Sequence, residues 1–237
     1  AMFSPGRNWE QIRTTICYNN QNVKIAGAHS GVSVGPDGAT HQAIEDIAIT
    51  RVIPNMVVLA PCDSIEAKKA TIAAARYKGP VYIRFTREKT PVMTTEDTPF
   101  EIGQAEIYRA GKDVAIIGCG PLVYEALKAA EELAKEGIEA EVINNHTIKP
   151  MDKETILKSV KKTGCVVTIE EHQAMGGMGS AVSEILSQNH PAPMEIIGVK
   201  DRFGESGEPH QLLEKFGLTA PFIKEAVLKV IERKSKL

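Results

Sequence analysis

Four cysteines, Cys17, Cys62, Cys119 and Cys165, are scattered through 237 residues with no CxxC pair among them. Neither a zinc cluster nor a disulfide framework is signalled by that spacing, and reduced, buried thiols are the expected state. Long apolar runs are missing too. No stretch approaches the ~18 apolar residues of a membrane-spanning helix, and no basic segment leads into an apolar one at the N-terminus. The sequence therefore predicts no membrane partner and a cytoplasmic location. Charge of one sign is also lacking: 28 Lys and Arg against 30 Asp and Glu leave a net charge of −2. With its basic residues dispersed, the chain has no stripe to track a phosphate backbone, which argues against nucleic acid. Neither internal repeats nor low-complexity tracts occur.

What is present is an alternation of strand-like and helix-like runs. "MVVLAP" and "VYIRF" read as buried strands. Between them, "DSIEAKKATIAAARYK" reads as a helix with Asp63 as N-cap and Glu66 three residues later, in the style of a capping box. In "HQAIEDIAITRVI", Ala43, Ile44, Ile47 and Ala48 fall at helical spacing. From about Thr86 to Arg109 the pattern lapses into polar residues and prolines. A second run follows with strands in "DVAIIGCG", "EAEVINN", "CVVTIEE" and "MEIIGV". Its helices lie in "LVYEALKAAEELAKEG", "DKETILKSV", "GMGSAVSEILSQN" and "APFIKEAVLKVIERK". Strands alternating with helices imply parallel pairing through right-handed crossovers. The expected fold class is thus α/β, two consecutive parallel-sheet three-layer domains, the first incomplete at its N-terminus. The expected bounds are residues 1–90, a linker over 91–108, and a second domain over 109–237. One helix and three strands are few for a parallel sheet covered on both faces.

"GAHSGVSVGPDGATHQ" is the stretch that invites chemistry. His29 follows the strand-like "VKIAGA", and carboxyl ends of parallel strands are where open α/β sheets place ligands. Gly31, Gly35 and Gly38 allow sharp turns and close approach of backbone to a ligand, with Asp37 and His41 between and beyond them. Local physics leaves alternatives open: an ordinary loop with an Asp37-Gly38 turn and His41 capping the next helix, or a binding site. Arg84 and Arg87 stand at the end of "VYIRF", where an isolated arginine ordinarily pairs with a surface carboxylate. A zinc site would need more convergent ligands than His29, Asp37 and His41. A thiamine-type diphosphate and magnesium site would need a Gly-Asp-Gly opening with a suitably placed Asn-Asn pair well downstream, which "GPDG" and its surroundings lack, so no metal is expected on this chain. In the second half, "GCGP" fails as a dinucleotide fingerprint because Val123 stands at the last glycine position. There "EEHQ" puts Glu170, Glu171 and His172 after a strand.

"GRNWEQIR", "HSGVSVGPDGATHQAIEDIA", "PNMVVLAP", "YIRFTRE", "TIKPMD" and "GGMGSAVSE" occur in this order, and together they resemble the C-terminal section of a transketolase. The resemblance spans essentially the whole chain. It implies the back part of the pyrimidine-binding domain followed by the transketolase C-terminal domain, as in a split-gene subunit. It also implies transfer of a two-carbon ketol unit between phosphorylated sugars with thiamine diphosphate and Mg2+. The metal and diphosphate would be held by an N-terminal pyrophosphate-binding subunit or domain. Matched residue by residue, Phe3 corresponds to the aromatic stacked on the aminopyrimidine, and His29 and His41 to imidazoles lining the channel near the reacting carbon. Asp37 matches the residue reading a sugar hydroxyl, and Arg87 the arginine holding the phosphate. His41 departs from a strict pattern, since some relatives carry glutamine there, which points to hydrogen bonding with cofactor or substrate. The glutamate that activates the pyrimidine lies before Phe3 in the family, so the chain alone is expected to be inactive and homo-oligomeric. Two other readings stand beside this one: a β subunit of a 2-oxo acid dehydrogenase, and a non-catalytic oligomerisation module.

Overall fold

Buried runs of β-branched and aromatic residues form the first sheet. Strands β1 (Lys24–Gly27), β2 (Val57–Leu59) and β3 (Val81–Arg84) pair in parallel, with β3 in the middle. The computed structural model describes residues 1–236. Helix α1 (Trp9–Gln11) runs on as a π-type segment through Ile12–Tyr18, and α2 (Asp46–Arg51) and α3 (Ser64–Arg76) complete this half. The second half contains β4 (Glu106–Arg109), β5 (Val114–Gly118), α4 (Val123–Lys135), β6 (Ala140–Asn144) and β7 (Thr147–Lys149). It continues with α5 (Lys153–Thr163), β8 (Val166–Gln173), α6 (Met178–Asn189), β9 (Met194–Val199), α7 (Pro209–Lys215) and α8 (Ala220–Lys234).

The α/β class is as expected, with one addition to each sheet. The orders are β1-β3-β2-β7 and β4-β6-β5-β8-β9, and β7 and β4 are antiparallel edge strands. Strand β7 lies downstream of the second sheet's first strands yet completes the first sheet, so the chain passes between the two sheets three times. An antiparallel strand needs no helical crossover, so two short runs without flanking periodicity could join the sheets unseen. The stretch read as a connection is likewise built in: it ends in β4, and its Phe100 ring stacks on His146 at 4.2 Å. The two sheets share one apolar cluster in which Val58 and Tyr82 join Ile117, Ile143, Val166 and Val182. Each such fully buried aliphatic side chain contributes roughly 1.5–3 kcal/mol.

Local capping follows the sequence closely. Asp63 accepts from the Glu66 backbone N–H at 2.9 Å, which is worth about 1 kcal/mol. Its other oxygen accepts from Met93 and Thr94 N–H at 2.8 and 2.7 Å, tying down the connecting stretch. Glu66 departs from a strict capping box by reaching the N–H of Cys62 at 2.6 Å rather than that of Asp63. Asp152 caps α5 by accepting from Thr155 N–H at 3.0 Å, and left-handed Gly164 ends that helix. Helix α2 is shorter than the periodicity predicts. Ala43 and Ile44 are buried, but Ala43 bridges to Ser30 beside the first sheet instead of forming helix. All four cysteines are free and buried. No helix among the described residues is long and apolar enough to cross a membrane.

His146 is fully buried, and burial pushes its imidazole down from 6.5 to about 4. The unfolded chain therefore binds a proton between those values that the native chain refuses. Its contribution to stability is complete above pH 6.5 and is lost as pH falls toward 4, by roughly 3 kcal/mol in all. Burial pushes Glu66, Glu170 and Glu171 up, which gives the opposite slope. The comparison that isolates His146 is urea unfolding of wild type against His146→Gln. The stability difference should move in the variant's favour on acidification through this window, and a pH-independent difference would contradict the assignment.

Candidate functional site

Parallel register brings the ends of β1 and β3 side by side. Gly27 pairs with Arg84, the Phe85 N–H donates to Gly27 O at 2.8 Å, and both the N–H and the hydroxyl of Ser30 donate to Phe85 O at 3.0 Å. His29 and Arg87 are thus carried on neighbouring strand ends. Between them the chain makes a tight 3-10 turn over Val32–Asp37, with Gly31, Gly35 and Gly38 at φ of 84°, 80° and 73°. A side chain would strain these positions, which explains the glycine spacing. His41 does not cap a helix: α2 begins at Asp46 after Glu45, and His41 projects to the surface with its Nδ1 3.0 Å from Thr40 Oγ1.

The five sequence-predicted residues fall into two contacting pairs and one neighbour. Phe3 and His41 meet edge to face at 5.2 Å, and the Arg7 guanidinium lies 5.1 Å from the Phe3 ring centre. Arg87 Nη1 lies 3.0 Å from Asp37 Oδ1 and also donates to Val34 O at 3.2 Å. His29 is exposed at the strand end, and no hydrogen bond or ion pair among the described residues joins its side chain to the other four. All five residues are exposed: two imidazoles, an aromatic ring, a carboxylate and a guanidinium. The Asp37–Arg87 pair is about 40% exposed on both partners. A pair so hydrated is worth at most about 1 kcal/mol, so a ligand can replace either partner at little cost.

Sequence reasoning pairs Arg84 with a surface carboxylate, and the structure corrects this. Arg84 is buried and its Nε donates to Asp46 Oδ2 at 2.8 Å, while the Tyr82 hydroxyl donates to the same oxygen at 2.7 Å. Arg84 Nη2 also donates to the carbonyls of Ala43 and Glu171 at 3.2 and 2.8 Å. Burial by itself would raise the Asp46 carboxyl, but the Arg84 charge and the hydrogen bonds from Arg84 and Tyr82 outweigh it and hold Asp46 below the usual value. Glu170, Glu171 and His172 lie within β8 rather than after it, and all three are buried. Glu170 accepts from the N–H groups of Met178 and Gly179 at 2.7 Å each, serving the N-terminus of α6. Glu171 accepts from Ser33 N–H at 2.5 Å, across the two halves of the chain. Gln42 escapes sequence reasoning altogether, because nothing in a polar residue after a histidine signals burial. A buried position is foreshadowed only by its place just before Ala43 and Ile44.

Comparison with known proteins now identifies the lineage. Residues 1–93 match the family model described as "Transketolase, pyrimidine binding domain", and residues 103–223 match "Transketolase, C-terminal domain". The chain is 44% identical over 233 residues to the 6-deoxy-6-sulfo-D-fructose transketolase subunit SqwH of Clostridium sp. (strain MSTE9), covering 98% of this chain and 72% of that one. To an apulose-4-phosphate transketolase subunit of Phocaeicola vulgatus it is 37% identical over 234 residues, covering 98% and 75%. A solved structure described as "Split gene transketolase, inactive beta4 tetramer" superposes with a TM-score of 0.92 at 46% identity, covering 98% of this chain and 74% of that one. With both halves matched in order and split-gene subunits among its relatives, the chain belongs to the transketolase family, as a C-terminal section carrying the pyrimidine-binding and C-terminal domains.

Proposed function

We propose that this chain is the C-terminal part of a split transketolase that transfers a two-carbon ketol unit from a ketose phosphate to an aldose phosphate. The observation that carries the reading is the replaceable Asp37–Arg87 pair, set on strand-end loops beside His29 and His41. Phe3, 45% exposed next to His41, has ring surface open to stack on an aminopyrimidine, so the residues present fit thiamine diphosphate. Among the described residues no group of three or more His, Cys, Asp or Glu is placed to hold a metal ion. In this reading, Mg2+ and diphosphate are held by an N-terminal pyrophosphate-binding subunit or domain. When bound, thiamine diphosphate supplies the nucleophilic carbon and the electron sink for breaking the carbon–carbon bond.

This chain's residues supply orientation and protons. The imidazoles of His29 and His41 reach solvent and can hold or deliver a proton at a sugar hydroxyl or its developing alkoxide. Thr40 engages Nδ1 of His41 and leaves Nε2 for the ligand. Asp37 can accept from a sugar hydroxyl, and Arg87 can hold a terminal anion through a planar fork, so that binding far from the reacting carbon aligns it. The names of the two subunit relatives carry a sulfonated and a phosphorylated sugar, and a guanidinium suits both anions. The same relatives favour a transketolase over a 2-oxo acid dehydrogenase β subunit, whose substrate has no terminal sugar phosphate for such an arginine to hold. In assembly, the β1 edge, the open Phe3 face and the tetrameric neighbour support a homo-oligomer of the isolated chain and a mixed complex with its partner.

Arg87→Ala in the partnered enzyme should raise KM for xylulose 5-phosphate by about thirtyfold, the loss of a charge-assisted anion contact. KM for an unphosphorylated ketose should stay within about twofold, since that sugar has no such contact to lose. Steady-state kinetics on the two donors decide it, and an equal rise for both would remove Arg87 from the anion site.

A further inference from the structure

The loop that carries Asp37 is packed against the other half of the chain. Every glycine that shapes it rests on a second-half residue. A Cβ on Gly31 would lie 2.2 Å from Glu171 Oε1, and one on Gly38 2.6 Å from Ser206 Oγ. On Gly35 it would crowd Pro209 Cγ and Gly207 O at 3.1 and 3.2 Å. Two buried side chains fasten the backbone itself. Glu171 takes the Ser33 N–H at 2.5 Å. Gln42 Nε2 donates to Val32 O and Gly35 O at 3.1 Å each and to Glu205 O at 2.8 Å, so one amide spans both sides of the turn and the segment between β9 and α7. Gly204 closes the arrangement: a Cβ there would come 1.7 Å from Gln42 Oε1. Arg84 connects Glu171 back to the loop's exit through the carbonyls of Glu171 and Ala43. The outer side of the same turn meets Arg87 at Val34 O and at Asp37.

From this geometry we infer that Glu171 and Gln42 are positioning residues, through which the C-terminal domain sets where Asp37 and Arg87 stand and thereby tunes discrimination for the anionic end of the sugar. The inference rests on the proposed transketolase reading. It gives the C-terminal domain a part in substrate selection in addition to assembly. The reason is physical: a 3-10 turn with three glycines at positive φ has few internal restraints, and glycine-rich backbone explores many conformations unless outside groups hold it. An anion contact made from such a turn is only as well placed as the groups beneath it.

Two measurements test it. In the full chain by itself, Glu171→Met and Gln42→Leu remove the acceptor and the donors while keeping apolar volume. Amide hydrogen exchange across 31–38 should speed up by about tenfold or more, with exchange in β5 and β6 unchanged. Glu171→Gln keeps an acceptor oxygen and should retain most of the protection. In the partnered enzyme the same two variants should raise KM for phosphorylated donor by about tenfold with kcat within about threefold, and leave KM for unphosphorylated ketose unchanged. Unchanged loop exchange overturns the inference outright. Faster exchange with equal kinetic loss on both donors also overturns it, since that is what a merely structural role produces. If the partnered wild type shows no preference for phosphorylated sugar, the transketolase reading fails and the selectivity role with it, while the exchange data still decide whether the clamp exists.

Discussion

The isolated 237-residue chain is expected to show no ketol transfer above background, and mixing with a pyrophosphate-binding transketolase subunit is expected to confer thiamine diphosphate binding. That mixture should also show the largest gain in turnover. Removing groups that act in the transition state costs about 1.4 kcal/mol for every tenfold in rate. Without a partner to hold the diphosphate, turnover is therefore expected to fall by several powers of ten. Calorimetric titration of thiamine diphosphate with Mg2+, followed by a xylulose 5-phosphate and ribose 5-phosphate assay, checks each mixture. Tight cofactor binding or turnover by the chain alone would sink the idea.

Asp46→Ala should destabilise the folded chain by about 3–5 kcal/mol, because it leaves the Arg84 guanidinium buried without its counterion. The side chains of both partners are at most 4% exposed, so solvent cannot take over. Pairing the change with Arg84→Met should recover much of the loss, since an apolar pair of similar volume has no charge to desolvate. Asp46 is held below its usual value, so its stabilisation is present above the unfolded carboxyl range and is lost as pH falls through the folded value. Urea titrations of the single and double variants at neutral pH measure both effects. A single-variant loss under about 1 kcal/mol would contradict the burial argument.

How much of this was legible in the sequence depends on the range of the interaction. Helix α3 with its Asp63 cap, α5 with Asp152 and Gly164, and α8 starting at its Pro221 turn follow from neighbours three or four residues apart. The buried parallel strands β2, β3, β5 and β8 follow from continuous apolar runs. The positive-φ glycines around Asp37 were likewise foreseeable, since only backbone conformation is at stake. Phe3, His29, Asp37, His41 and Arg87 could be singled out as a group, but only the resemblance connected residues so far apart.

Tertiary structure alone decided the rest. No local pattern could show that Thr147–Lys149 completes the first sheet, since an antiparallel edge strand of three residues carries no periodicity to read. Nor could it show that Arg84 and Asp46, 38 residues apart, form a buried pair. The sequence by itself determined most of the helices and the parallel strands, their order, and the glycine turn around Asp37. Which polar groups are desolvated was settled by packing, because burial is a property of neighbours brought together from distant parts of the chain. Glu171 and Gln42 are residue types usually found at the surface, and they became the fastening of the Asp37 loop only when the two halves of the chain packed together.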